Sequence, residues 1–242
     1  MVFDPACAPA ISIAYLNIKQ TMKILFNGDS NMCGEELDDR SLGIAPQLSS
    51  MLGMQEINLS LSGSSNDRIY DTTMQYVQNQ TAPDLIVIGW SEYARVQWFV
   101  TDEGRPEWIE INNLGIGRKT PPAEYLMRLE HWNQSTLNLD YRTGLSLYWH
   151  ERIYNLHKYL EHLHIPHVFF HAFHDFRMHH TQYHLNWNNK FMDPYNQELT
   201  YVHWCARNNY KEITPGWFHY EPAAQCAWAE RIANHVMQYK II

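Results

Sequence analysis

The sequence predicts an α/β fold, a three-layer α/β/α sandwich around a mostly parallel sheet, and three observations carry that expectation. Short apolar runs stop abruptly at glycine or polar residues, the stretches between them place apolar residues at helical spacing, and the two kinds alternate along 242 residues. Strands that alternate with helices form a parallel sheet covered on both faces. Such a sheet binds ligands outside the carboxyl ends of its strands.

Residues 23–27 (KILFN) read as the first buried strand, bounded by Gly28. Residues 41–54 carry a helical pattern with Ser41 as its expected N-cap. Residues 55–61 (QEINLSL) alternate as a strand does, and Gly63-Ser64-Ser65-Asn66 breaks them before a helix over 67–80. Pro83 precedes a third strand at 84–90 (DLIVIGW). The periodicity then weakens, and the glycines and prolines of 101–143 (Gly104, Pro106, Gly115, Gly117, Pro121, Pro122) mark an insertion over one end of the sheet, with a helical stretch near 122–133. A helix over 145–164, a strand at 167–173 after Pro166, a polar and aromatic segment to about 210, and a closing helix at 221–239 complete the order. The strong pattern begins at Met22, so residues 1–21 read as an N-terminal extension, or an upstream start, and 22–242 as a single domain.

Composition narrows the function classes. Hydrophobic residues make up 45%, enough for a large core, and aromatics 14%, with nine Trp and fifteen Tyr, enough that some should line a groove. The balance of 18 Lys+Arg against 26 Asp+Glu gives −8, without a long basic run, which argues against a nucleic-acid partner. Cys7, Cys33, Cys205 and Cys226 lack the spacing of a zinc site and the density of a disulfide scaffold, so reduced thiols are expected. No run of 18 apolar residues is present, and Asp4 and Pro5 stand where a signal peptide carries Lys or Arg. The expectation is therefore no membrane partner and a cytoplasmic or virion-associated setting.

The polar residues at the strand ends are where chemistry is expected. Gly28-Asp29-Ser30, taken alone, reads as a helix-capping turn. A nucleophile at Ser30 needs a base within reach and amide donors for an oxyanion. Four stretches supply candidates in order: Gly28-Asp29-Ser30, then Asn58 to Gly63, then Gly89-Trp90-Ser91-Glu92, then Gly216-Trp217-Phe218-His219-Tyr220. In order and spacing these resemble the four blocks of the SGNH, or GDSL, hydrolase family. Ala227-Trp228-Ala229-Glu230 is similar to the helix that follows the family's catalytic histidine. The resemblance spans roughly residues 22–239 and implies a flavodoxin-like α/β/α fold. It implies Ser30 as nucleophile, His219 as base, and an oxyanion hole made by the N–H groups of Ser30 and Gly63 with a third donor from Ser91.

Two blocks depart from the family. Ser91 stands for its oxyanion Asn, and Gly216 for the Asp that orients the base. Without such a carboxylate a histidine loses the partner that fixes its tautomer, at a cost of about 10⁴ in rate in a related triad. A backbone carbonyl can hold the Nδ1 proton instead, which leaves a Ser-His dyad; Glu221 is the candidate carboxylate, with a charge near the start of the closing helix as its plain reading. Asp29, Asn66, Trp90, Glu92, Arg95, His174, Asp175, Trp217 and Glu221 are expected to line the cleft, with Arg95 facing either a substrate anion or Glu92. Trp90, Trp187, Trp204 and Trp217 read either as sugar-stacking rings or as packing residues.

The leading function is a serine esterase acting on a carboxylic ester, such as a carbohydrate O-acetyl group, with a small-molecule or glycan ester as substrate and no cofactor. The alternative is a catalytically impaired scaffold, carbohydrate-binding or structural. The wording around FNGDSNMCGEEL and TPGWFHYEPA is similar to uncharacterised SGNH-like proteins of tailed phages of marine cyanobacteria, which adds other virion proteins as partners. A third class, a metal-dependent hydrolase, rests on His171, His174, Asp175, His179, His180 and His184; a solvated aromatic loop without a metal is the expected reading, because no H-E-x-x-H or cysteine set completes a site.

Overall fold

The computed structural model describes residues 21–102, 105–111, 125–177 and 181–242. Residues 1–20, Gly104, Gly115, Gly117, Pro121, Pro122, His179 and His180 lie outside the described residues. In chain order the elements are β1 (Lys23–Asn27), α1 (Ser30–Cys33), α2 (Ile44–Leu52), β2 (Gln55–Asn58), α3 (Asn66–Asn79), β3 (Leu85–Trp90), β4 (Val96–Asp102), β5 (Arg105–Ile111), α4 (Leu126–Thr136), α5 (Leu139–His162), β6 (His167–His171), α6 (Tyr201–Arg207) and α7 (Pro222–Gln238).

The central sheet is parallel, with strand order β2-β1-β3-β6. Every residue of β3 and of β6 is buried, which explains why their apolar residues, Leu85–Ile88 and Val168–Phe170, run together rather than alternating. Side chains leave the sheet on both faces. Ile24, Phe26, Leu85, Val87, Val168 and Phe170 meet Leu48 of α2 and Trp228 and Ile232 of α7. Leu25, Ile86, Ile88, Trp90 and Phe169 meet Ile69 of α3 and Trp149, Ile153 and Leu156 of α5. Each fully buried aliphatic or aromatic side chain contributes about 1.5–3 kcal/mol, so the two interfaces hold the strand ends in fixed positions. The three-layer α/β/α architecture with a parallel sheet is the predicted one. Among the described residues no helix is long and apolar enough to cross a membrane.

The insertion differs from its expected bounds. It starts at Val96, five residues early, as an antiparallel hairpin of β4 and β5. Trp98, Val100, Ile109 and Ile111 are buried in a small third core with Leu129 and Trp132, while Phe99 and Trp108 on the other face are exposed. This one-sided burial gives period-2 alternation, a weaker signal than the buried strands beside it. Helix α5 begins at Leu139 rather than 145, because Asn138 caps it through Oδ1. Ser41 is not an N-cap: it sits inside a single 3₁₀ turn capped by Asp39, and α2 starts after Gly43 without a side-chain cap.

The chain turns from β1 towards β2 on one side and β3 on the other, so the loops after β1 and β3 flank a switch point. Ser30 and Ser91 follow those two strands, and Gly63 lies in the loop after β2.

Candidate active site

Asn27 closes β1 by donating to Ile69 O, Thr72 Oγ1 and Thr73 Oγ1 of α3, while its Oδ1 accepts from Gly28 N–H. Gly28 permits a tight descent into the turn, since a Cβ there would meet Met32 Cβ at 2.7 Å and Gly89 O at 3.1 Å. Asp29 then caps α1: its Oδ1 accepts from Asn31 N–H at 3.0 Å. Its Oδ2 accepts from Ser91 Oγ at 2.8 Å and from Arg95 Nη1 at 3.0 Å. Ser30 opens α1 and is 4% exposed. Among the described residues neither its N–H nor that of Gly63 has a hydrogen-bond partner. Gly63 sits at φ +76°, a left-handed position that suits glycine.

Ser30, Gly63 and His219 line one cavity of about 750 Å³, within the usual range of about 300–1,000 Å³ for ligand sites. His219 is held by a short loop closed at both ends. Ile213 N–H donates to His219 O at 2.8 Å, Glu212 pairs with Tyr220, and Gly216 N–H donates to the Glu212 carboxylate. His219 Nδ1 lies 3.0 Å from Glu36 Oε2. A carboxylate only accepts, so this contact places the proton on Nδ1 and leaves the Nε2 lone pair of a neutral ring free. Ser30 and His219 share the cavity wall, and no hydrogen bond joins them directly.

Glu36 is the residue that sequence reasoning missed. It follows α1 in a turn, at φ +65°, and it approaches His219 across 183 residues of sequence. Glu221 does not take this role: its Oε1 accepts from Lys211 N–H, and its backbone starts α7. The only sequence signal for Glu36 is the acidic run Glu35-Glu36, five and six residues after Ser30, which also fits a solvated turn.

The other expected cleft residues divide into two groups. Glu92, Arg95, His174 and Trp217 line the cavity. Glu92 is paired with His174 Nε2 at 2.9 Å and with Arg142 at 3.7 Å. Burial raises the Glu92 carboxyl, but the His174 hydrogen bond and the charges of His174, Arg142 and Arg95 outweigh it and hold the group below its ordinary value. Arg95 bonds Asp29 and Ser91 rather than Glu92. Trp217 is half exposed, with its ring 6.5 Å from that of His219.

The second group does not reach the cavity. Trp90 is fully buried, with Phe169 and Trp149 against it, because both faces of β3 are covered. Asn66 is fully buried and clamps the loop after β3, donating to Ser91 O and accepting from Ser91 N–H. Asp29 is 1% exposed and fully engaged. Asp175 is used locally, accepting from Arg177 N–H. Ser91 faces Asp29: its one proton goes to that carboxylate, so the hydroxyl has none for an oxyanion.

Of the histidines of the metal reading, the described ones have other partners, His174 being paired with Glu92. His171 is buried against Phe176 and Tyr93, and His184 stacks on Tyr195. Among the described residues no group of three or more His, Cys, Asp or Glu is gathered as a metal site. A separate groove of about 660 Å³ runs along α7, where Arg231 pairs with Asp193 at 2.6 Å, and of the residues offered for the cleft it takes Trp204, away from Ser30 and His219.

No family profile matches this chain, and no curated protein matches it. Among solved structures it is similar to TesA, at 14% identity and a TM-score of 0.45, over 90% of this chain and 99% of that one. It is also similar to a carbohydrate esterase whose active site displays divergent catalytic and non-catalytic binding functions, at 13% identity and a TM-score of 0.39, over 90% of this chain and 68% of that one. Likenesses at these values assign no activity.

Proposed function

We propose that this chain is a serine hydrolase of carboxylic esters, with Ser30 as nucleophile, His219 as base and Glu36 as the acid that orients it. One observation carries the reading: Glu36 lies 3.0 Å from Nδ1 of His219, the histidine that lines the same cavity as Ser30 and Gly63. The departure at Gly216 then costs nothing in tautomer control, because the carboxylate arrives from the turn after α1 instead.

In this reading Ser30 Oγ attacks the ester carbonyl while His219 Nε2 takes its proton. The developing oxyanion lies between the unpartnered N–H groups of Ser30 and Gly63. Collapse expels the alcohol with the proton from His219, and a water activated by the same ring releases the acid. A hydrogen bond between nucleophile and base that is open in the free enzyme tightens once substrate is bound. The cavity walls suit an ester with both apolar and hydroxyl-bearing parts. Phe173, Trp217 and Phe218 form an aromatic side, and Glu92, His174 and Arg142 a polar one. A glycan O-acyl ester has this character.

The test is hydrolysis of short-chain aryl esters and acetylated sugars by the wild type and Ser30→Ala. Loss of at least about 10⁴-fold is expected, the scale seen when such a nucleophile is removed. Equal rates would remove Ser30 as nucleophile and leave a binding scaffold as the better reading.

A further inference from the structure

Two backbone N–H groups serve the oxyanion in this reading, and the neighbouring side-chain hydroxyl, Ser91, has spent its proton on Asp29. Arg95 reaches the cavity from the same loop. Its Nη1 is anchored by Asp29 Oδ2 at 3.0 Å and Ser91 Oγ at 2.8 Å, and its guanidinium lies 4.9 Å from the centre of the Phe173 ring. We infer that Arg95 is a further catalytic residue, the side-chain donor of the oxyanion hole, an inference that rests on the serine-hydrolase reading.

Three features support this role. A guanidinium carries five N–H donors in a rigid plane, and the bonds to Asp29 and Ser91 use only those of Nη1. Arg95 lines the cavity together with Ser30, Gly63 and His219, and its side chain is 14% exposed. Its anchor, Asp29, is the residue before the nucleophile, so both are tied to one turn. The anchor also settles the kind of role. The Asp29 carboxylate neutralises the guanidinium, so Arg95 is a fixed dipolar donor rather than a free cation awaiting an anionic substrate. Such a donor acts most strongly on charge that develops in the transition state.

The experiment compares Arg95→Ala and Arg95→Lys with wild type on a neutral aryl acetate and on an aryl hemisuccinate, with melting curves as the folding control and fluorophosphonate capture of Ser30 as an independent readout. Arg95→Ala is expected to lower kcat about 10²–10³-fold on both esters, with KM changed less than threefold. Capture should slow in parallel, because the phosphonyl oxygen occupies the same position, and added guanidinium ion should restore part of the rate. Should Arg95→Ala fail to fold, Arg95→Lys carries the test, with a kcat loss on both esters again expected. Unchanged kcat in the folded variant overturns the inference, as does a rise in KM confined to the hemisuccinate. Wild type that neither turns over nor is captured overturns the hydrolase reading itself, whereas normal capture with unchanged kcat in the variant sinks only the role of Arg95.

Discussion

The two ends of α1 each present a carboxylate, and the structure uses them in opposite ways. At the N-terminal end Asp29 is 1% exposed and satisfied by three donors, from Asn31, Ser91 and Arg95. At the C-terminal end Glu36 keeps a partly open side chain and, among the described residues, one side-chain partner, His219. A carboxylate saturated with donors is an anchor, whereas one left to a single imidazole at a cavity wall can orient a base. Backbone strain follows the same division. Glu36 at φ +65° and Phe218, next to His219, at φ +60° are both non-glycine residues in the left-handed region. Each costs on the order of 1 kcal/mol, and both flank the same contact.

Substitutions at three carboxylates sharpen the contrast. Glu36→Gln should reduce kcat about 10³–10⁴-fold on aryl esters, as removal of an orienting carboxylate does, with the melting temperature nearly unchanged. Glu221→Gln should keep the wild-type rate, and the reverse ranking would return the orienting role to Glu221. Asp29→Asn should lower stability by about 3 kcal/mol in denaturant melts, because it leaves a largely buried Arg95 without its counter-charge, and any loss of kcat should come only through the loosened Arg95. A stable Asp29→Asn variant would break the distinction between the two ends.

Glu92 should give a smaller effect than Glu36 or Asp29. Its folded value lies below the ordinary 4.5, so its stabilisation is present above that pH and is lost as pH falls through the folded value. Glu92→Gln should therefore flatten the acid limb of stability below about pH 4.5, by less than about 1.4 kcal/mol per pH unit. Identical acid limbs for the two proteins would contradict the pairing of Glu92 with His174.

What the sequence made legible follows from locality. The buried strands stood out because Gly28, Pro83 and Pro166 punctuate continuous apolar runs, and α7 because Trp228, Ala229 and Ile232 repeat on one face. Ser30, Gly63 and His219 were singled out by the resemblance of their short stretches to a family's blocks, and the fold brings the three to one cavity. Glu36 could not be singled out, since its contact with His219 exists only where the turn after α1 meets a loop 183 residues away. Trp90 and Ser91 misled for the opposite reason. Their positions after β3 are as expected, but one ring turns into a layer covered on both sides, and one hydroxyl is already spent on Asp29. Position along a strand is written locally; the partner of a side chain is decided by what the fold brings beside it.

Covalent capture tests the claim that Ser30 is activated by the His219–Glu36 pair most directly. Wild type, Ser30→Ala and Glu36→Gln would be incubated with a fluorophosphonate and followed by intact mass and peptide mapping. The triad predicts one adduct, on the peptide carrying Ser30, in wild type, none in Ser30→Ala, and a much slower reaction in Glu36→Gln. An unmodified wild type, or the same adduct in Ser30→Ala, would contradict it.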